Sequence, residues 1–380
     1  MNNGNDRTAS APSTVCFADL HVEMDDSILN KFDRLLTKTG IEKIDFKDKF
    51  VAVKLHFGEV GNMAFLRQQY ARVLCDRVKA LGGKPFLTDC NTLYVGYRNN
   101  ALNHLDAAYY NGYSPLSTGV HTIIADGLRG TDERLIPVVG GEYVKEAKIG
   151  AAVAEADILI SLTHFKGHCV AGFGGALKNI GMGCGSKSGK MEMHSSGTPE
   201  VDVNSCIGCG MCVRHCNNNG VKISGRKAVI DEQHCVGCGY CIAYCPKGAI
   251  MNKWDEAFPV MNKKIAEYAA AALAGKPAFH VSFVTDVSPE CDCDGCSDIP
   301  VIPDIGMFAS FDPVALDQAC ADAANAAPIV AGSAADTGKE KGKDDDLFRI
   351  LHPGVDWECG LDHAEKLGIG TRKYELVKVK

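Results

Sequence analysis

Two runs of four cysteines in mid-chain have the spacing that holds metal. Cys206, Cys209, Cys212 and Cys216 follow C-x2-C-x2-C-x3-C, and Cys235, Cys238, Cys241 and Cys245 repeat it 29 residues later. Three thiolates so spaced on one short loop can grip three iron corners of a cubane. Gly208, Gly210, Gly237 and Gly239 let that loop curl so that backbone N–H groups face the sulfurs. Between the runs, VKIS-GR-KAVI (221–230) reads as a hairpin with glycine first in a two-residue turn. The competing reading is a pair of zinc knuckles, but zinc takes four ligands and does not need two such runs.

Residues 205–250 resemble the bacterial-type double-cluster ferredoxin. The resemblance implies that the fourth cysteine of each run ligates the other run's cluster. Cys206, Cys209, Cys212 and Cys245 would then hold one [4Fe–4S] cluster, and Cys235, Cys238, Cys241 and Cys216 the second. Pro246 follows the last cysteine of the second run, while Asn217 stands in that place in the first. Proline there constrains a turn and supplies no ligand, and asparagine also tolerates turn and left-handed conformations.

Directly before the cysteines lies THFKGHCVAGFGGALKNIGMGCGSKSGKMEMH (163–194). It carries His164, Lys166, His168, Lys178, Asn179, Lys187, Lys190 and His194 among glycines. Glycine-rich backbone beside lysines suits a phosphate or carboxylate. Histidines add proton donors or metal ligands. We take His164, Lys166, His168, Lys178 and His194 as candidate catalytic residues. The alternative is a structural glycine-rich loop with solvated lysines. GFGGAL (172–177) is not a dinucleotide fingerprint and CGSKSGKM (184–191) is not a P-loop, so nucleotide chemistry is not indicated.

A third group, Cys291, Cys293 and Cys296, sits in the polar stretch ECDCDGCSD. It is a candidate for a third Fe–S cluster, or for a zinc or a single iron completed by Cys184, a histidine or a substrate. Cys16, Cys75, Cys169, Cys320 and Cys359 are scattered and read as small core residues. Cys90 and Cys184 remain open between the two roles. His121, His280 and His352 read as structural or surface residues.

These groups need a frame. VAVKLH (51–56), PFLT (85–88), VHTIIA (120–125), DILISL (157–162), Phe279–Val284 and Val301–Phe308 read as strands, and Tyr374–Val379 as a last one. Helices are expected at Met63–Leu81, Tyr143–Ala156, Glu256–Ala274, after Asp312-Pro313, and at Trp357–Leu367. The alternation argues for an α/β fold: a mostly parallel sheet with helices on both faces and a small α+β cysteine module inserted. From about Gly172 to Gly197 the sequence reads as loop. The expected organisation is a disordered tail over 1–14, an α/β domain over 15–204 and 251–380, the module at 205–250, and a mobile loop at 328–346. In such sheets ligands bind at the carboxyl ends of strands. There the sequence places His56, Glu59, Asp89, Cys90, Asp126, His164, Thr285 and Asp286.

The 380 residues carry 18 cysteines and a net charge of −7. Nothing indicates nucleic-acid binding. No apolar run is long enough to span a membrane, and the polar N-terminus has no signal-peptide core. The expected location is therefore the cytoplasm, where clustered cysteines mean metal rather than disulfides.

Across nearly the whole chain, VAVKLHFGEVGN (51–62), PFLTDCNTLYVGYR (85–98), IIADGLRG (123–130), HFKGHCVAGFGGALKNIGMG (164–183), both cysteine runs, CDC (291–293), DIGMFASFDPVALDQA (304–319) and LDHAEKLGIG (361–370) resemble a prokaryotic family of uncharacterised Fe–S centre proteins, a domain of unknown function. The resemblance implies an α/β domain with an inserted ferredoxin module and supplies no reaction. The function expected is a ferredoxin-coupled oxidoreductase of an anaerobic cytoplasm, taking electrons from a soluble protein and delivering them to an anionic small molecule. The alternatives are an electron carrier or regulatory protein with no substrate, and a metal-centre assembly factor.

Overall fold

The computed structural model describes residues 11–94, 96–194, 198–235, 237–253, 256–339, 342 and 345–380. Eight strands form the central sheet: β1 (Ser13–Asp19), β2 (Phe50–Lys54), β3 (Lys84–Asp89), β4 (Thr122–Ile124), β5 (Ile158–His164), β6 (Ala278–Val284), β7 (Gly306–Ser310) and β8 (Tyr374–Lys378). Their order is β8-β1-β7-β6-β5-β2-β3-β4. Every neighbouring pair is parallel except the two made by β7. The fold is α/β.

The longer helices are α1 (Ile28–Thr39), α2 (Gln68–Ala80), α3 (Ala101–Tyr110), α4 (Ala176–Cys184), α5 (Lys187–His194), α6 (Phe258–Leu273), α7 (Pro313–Ala326) and α8 (Glu358–Lys366). Side chains alternate across each strand, so each strand feeds two cores. Val51, Val53, Ile158 and Ile160 pack with Phe32 and Leu35 of α1 and Leu74 and Val78 of α2. Ala52 and Leu159 face Ile180 of α4, Ile265 of α6 and Leu316 of α7. All seven residues of β5 are buried, as expected for a strand covered on both faces.

From β2 the chain builds outward through β3 and β4, then returns to place β5 and β6 on the other side of β2. The helix following β2 lies on one face and the helix following β5 on the other. That reversal opens a crevice at the carboxyl ends of β2 and β5.

Several local expectations are corrected. The glycine-rich stretch after 172 is not a loop: it forms α4 and α5 after a strand pair, Lys166–His168 with Gly172–Gly174. Its glycines are packing positions. A methyl group at Gly181 would overlap the Ile265 carbonyl, at Gly183 the Lys54 ammonium, and at Gly175 the Asp317 carboxylate. Most of the helix expected at 143–156 is replaced by a hairpin of Glu133–Pro137 with Glu146–Gly150, leaving only Ala151–Glu155 helical. The strand expected from Val301 begins at Gly306. Of the expected tail, residues 1–10 lie outside the described residues, while Ser13 and Thr14 pair with Tyr374 and Glu375 in the sheet. Within 328–346, residues 340–341 and 343–344 lie outside the described residues; the others form no helix or strand, and Ser333 and Ala335 are buried.

Between α5 and α6, the hairpin Val221–Ser224/Lys227–Ile230 and two one-turn helices, Met211–Arg214 and Tyr240–Ala243, carry the cysteine runs. Gly225 and Arg226 both have positive φ, 55° and 63°, so both turn residues take the left-handed region. After the first run Asn219, not Asn217, adopts positive φ. Leu93 and Met191 of the α/β portion join Cys206, Cys212, Cys241, Ile242 and Ile250 in one small core. Among the described residues no helix is long and apolar enough to cross a membrane.

Candidate functional site

A cleft of about 400 Å³ opens at the crevice. The segments following β2, β3, β5 and β6 line it, together with α4 and α5. Of the five candidate catalytic residues, Lys166, His168, Lys178 and His194 line it; His164 does not. Lys54, His56, Asp89, Tyr94, Arg98, Lys190 and Asp294 also line it.

The cations of the cleft divide into two groups. Lys54, buried at the end of β2, sits 3.0 Å from Asp89 and donates to Asn179 Oδ1 at 2.8 Å. Arg98 is paired with Glu59 at 3.0 Å and lies 3.7 Å from Asp89. Lys166 lies 3.1 Å from Asp292 Oδ2. Burial works against the Lys166 charge, but Asp292 and Cys291 outweigh it and raise its pKa. Lys190 donates to the Gly185 carbonyl, and Lys178 lies 3.9 Å from Cys291 Sγ. Among the described residues neither Lys178 nor Lys190 has a carboxylate within salt-bridge distance, though the Lys190 charge acts on Asp89 and Asp126. The lining holds Lys54, Arg98, Lys166, Lys178 and Lys190 against Asp89 and Asp294, a cationic excess suited to an anion.

Three histidines face the cleft in defined tautomers. His56 Nδ1 accepts from Gly58 N at 3.0 Å, and His168 Nδ1 accepts from Val170 N and Ala171 N at 3.1 and 3.0 Å. Both rings therefore carry their hydrogen on Nε2. His194 Nδ1 donates to the Lys190 carbonyl at 2.9 Å, which puts the lone pair on Nε2. Burial, then neighbouring cations, holds His56 and His168 well below the usual imidazole range. Burial also lowers His194, to about 4. At neutral pH these are two hydrogen-bond donors and one acceptor, none charged.

The turn after β6 forms the opposite wall. Cys291 and Cys293 line the cleft, whereas Cys296 is exposed and does not. Asp292 between them is fully buried and meets His164, 2.8 Å away. His164 thus stands behind the site and positions the turn. The Cys293 thiol, opposed by burial but aided by Lys178 and Lys166, holds Cys291 well below the usual thiol range. Cys90 also lines the cleft, where burial raises it, and Cys184 is buried behind. Cys169 lines the cleft too and is exposed, which corrects its reading as a core residue. Cys16, Cys75 and Cys320 are buried, and Cys359 is half-buried. His280 is buried against Ser161, His352 bonds the Pro289 carbonyl, and His121 is exposed.

Lys54, Arg98 and Asp292 escaped the sequence reading, and Asp317 entered it only as part of the family-like stretch 304–319. Lys54 left a signal, a lysine closing an otherwise apolar strand. Nothing local announces the role of Asp317: from α7 it accepts Ala176 N at 2.6 Å and Leu177 N at 2.9 Å, capping the neighbouring α4 that carries Lys178. Asp312 caps its own helix through Val314 N and Ala315 N.

The eight mid-chain cysteines surround two small cavities, each of about 20 Å³. Cys206, Cys209, Cys212 and Cys245 line one with Ile207, Ile223, Ala228 and Ile250. Cys216, Cys235, Cys238 and Cys241 line the other with Pro199, Val221 and Tyr240. Backbone N–H groups point at the sulfurs: Ala228 to Cys206 at 3.3 Å, Gly220 to Cys216 at 3.1 Å, Ala249 to Cys245 at 3.2 Å. Those from Ala228 and Gly208 lower Cys206. Four thiols, apolar walls and N–H···S donors are the donor set a [4Fe–4S] cluster takes. Among the described residues no three His, Cys, Asp or Glu side chains converge tightly enough for a single metal ion.

Residues 51–322 match the domain of unknown function DUF362. The chain belongs to this family. The DUF362 span runs from β2 into α7, so it takes in every segment lining the cleft and both cysteine runs. No curated protein matches the chain. Among solved structures it is similar to the lactate racemase apoprotein from Thermoanaerobacterium thermosaccharolyticum, at 13% identity over 72% of this chain and 51% of that one, with a TM-score of 0.42. It is also similar to a protein from Thermotoga maritima, at 11% identity over 80% and 60%, with a TM-score of 0.36. The chain spans about half the length of the first.

Proposed function

We propose that this DUF362 chain is an iron–sulfur electron-transfer protein whose clusters serve the cleft at the strand ends. Cys206, Cys209, Cys212 and Cys245 would hold one [4Fe–4S] cluster, and Cys216, Cys235, Cys238 and Cys241 the other. When bound, such clusters supply electrons one at a time. One observation carries this reading: each cavity takes three cysteines from one run and its fourth from the other.

Leu93 and Met191 support the link to the cleft. They pack in the cysteine core, Leu93 also lines the cleft, and Met191 follows Lys190 on α5. In the cleft, Lys178 and Lys190 bind the anionic group of a substrate. His56 and His168 donate hydrogen bonds from Nε2, and His194 Nε2 accepts a proton. Ile207 and Ile223 line the first cavity and are 60% and 39% exposed, which suits docking of a soluble electron-donor protein. A carrier without a site would have its strand ends filled, and here they are open. All 18 cysteines are free of disulfides, in keeping with a reducing cytoplasm.

The test is reduction of the anaerobically purified, cluster-loaded protein by a one-electron reductant, followed by reoxidation with candidate acceptors. Lys166→Gln and His168→Ala should slow reoxidation without lowering iron content. A protein that takes up no electrons, or reoxidation indifferent to both substitutions, would sink the proposal.

A further inference from the structure

We propose that Cys291 and Cys293 form a redox-active dithiol, and that its oxidant is an anionic low-molecular-weight disulfide. The backbone builds the pair. Asp294 N bonds the Cys291 carbonyl at 3.0 Å, closing a turn over 291–294. Asp292 goes inward to His164 and Lys166, while the cysteines on either side line the cleft. Within that turn the two cysteines are two Cα steps of about 3.8 Å apart, at an angle, and a disulfide spans Cα separations of about 4.4–6.8 Å. Three tethers fix the turn: Glu59 N to the Asp292 carbonyl at 2.9 Å, Tyr94 Oη to the Cys293 carbonyl at 3.1 Å, and Asn62 Nδ2 to the Asp294 carbonyl at 3.0 Å.

The chemistry follows from the neighbours. The Lys178 ammonium lies 3.9 Å from Cys291 Sγ and favours a thiolate there, so Cys291 is the attacking sulfur. It attacks one sulfur of the substrate disulfide, forming a mixed disulfide and releasing the first thiolate. Cys293, losing its proton, attacks Cys291 Sγ, which releases the second thiolate and leaves a Cys291–Cys293 disulfide. Two electrons and two protons restore the dithiol. This last step rests on the electron-transfer reading above, with the clusters as the source of electrons. Lys178 and Lys190, which lack carboxylate partners among the described residues, select an anionic disulfide.

The experiment uses the full chain, purified without oxygen, with iron and visible absorption recorded first. The probe is an aromatic disulfide bearing two carboxylates, which releases a coloured thiolate. The account predicts two thiolates released per chain beyond those released by the Cys291→Ser/Cys293→Ser double variant, whose exposed Cys169 and Cys296 set the baseline, and a peptide containing 291–293 lighter by two hydrogens in mass spectrometry. Cys293→Ser should release one thiolate beyond that baseline and retain an adduct on Cys291. Between alkyl disulfides of matched leaving group, cationic cystamine should react at least about tenfold more slowly than a dicarboxylate such as dithiodipropionate, and Lys178→Gln should narrow that gap. Residues 291 and 293 left unmodified, or blocked by a metal that co-purifies with them, would overturn the dithiol. Iron-loaded protein with an unreactive pair would sink this inference alone. Iron-free protein with normal exchange would sink only the electron-transfer reading.

Discussion

His164 Nδ1 lies 2.8 Å from Asp292 Oδ1, joining the end of β5 to the turn that carries Cys291 and Cys293. The other ring nitrogen bonds the Thr285 carbonyl at 2.8 Å. Both ring nitrogens thus meet oxygen atoms, one on the turn and one on the segment after β6. Burial alone would raise Asp292, but His164 and Lys166 hold it far below the usual carboxylate range. His164→Gln keeps one of these bonds and loses the other. We expect a loss of about 1–3 kcal/mol, since Asp292 retains Lys166, and faster alkylation of Cys291 and Cys293. Denaturant titration and peptide-resolved alkylation check this.

Two glycines two residues apart on α4 should respond differently. At Gly181 an added methyl meets the Ile265 backbone carbonyl, which cannot yield without moving α6. Gly181→Ala should therefore cost about 1–3 kcal/mol. At Gly183 the methyl meets the flexible end of Lys54. Gly183→Ala should cost less stability and instead move the Lys54 ammonium off Asp89. Denaturation midpoints together with anion affinity separate the two cases.

Acid should destabilise the chain through its buried imidazoles. Burial holds His104 and His280 down to about 3 and His194 to about 4. An unfolded histidine titrates near about 6.5. Between these values the unfolded chain binds more protons than the folded one. The stabilisation is therefore present above pH ~6.5 and is lost as pH falls toward the folded values. His104 has no hydrogen-bond partner at either ring nitrogen among the described residues and packs edge-on against Phe57. His104→Phe should lower the acid slope by up to one proton, about 1.4 kcal/mol per pH unit. Urea titrations across pH 4–7 measure that slope.

The cationic excess of the cleft should appear as anion binding. Lys178→Gln and Lys190→Gln should each weaken sulfate binding by about 1–2 kcal/mol, roughly five- to thirtyfold. Wild-type affinity should fall as neutral salt rises. Calorimetry reads both.

Features set by local spacing or by burial on both faces were legible in the sequence; features set by contacts between distant elements were not. VAVKLH and DILISL declare buried parallel strands, and the ordering of such strands places polar residues at one edge. The cysteine runs announce themselves because their spacing is the chemistry. The glycines of 172–185 were misleading: glycine in a loop and glycine under a crossing helix look alike until Ile265 or Lys54 is seen against them. Asp317 caps a helix some 140 residues away in sequence, and no local pattern encodes that. His164 looked catalytic by its company, yet its partner Asp292 lies in another loop and turns it into a support.

The central claim is that two crossed sets of four cysteines hold clusters. The direct measurement is iron and sulfide content with EPR on anaerobically purified wild type and on single cysteine-to-serine variants. Wild type should carry about eight irons. Cys245→Ser should perturb the same EPR signal as Cys206→Ser, and Cys216→Ser the same signal as Cys241→Ser. Zinc in place of iron, or Cys216→Ser perturbing the signal that Cys206→Ser perturbs, would contradict the account.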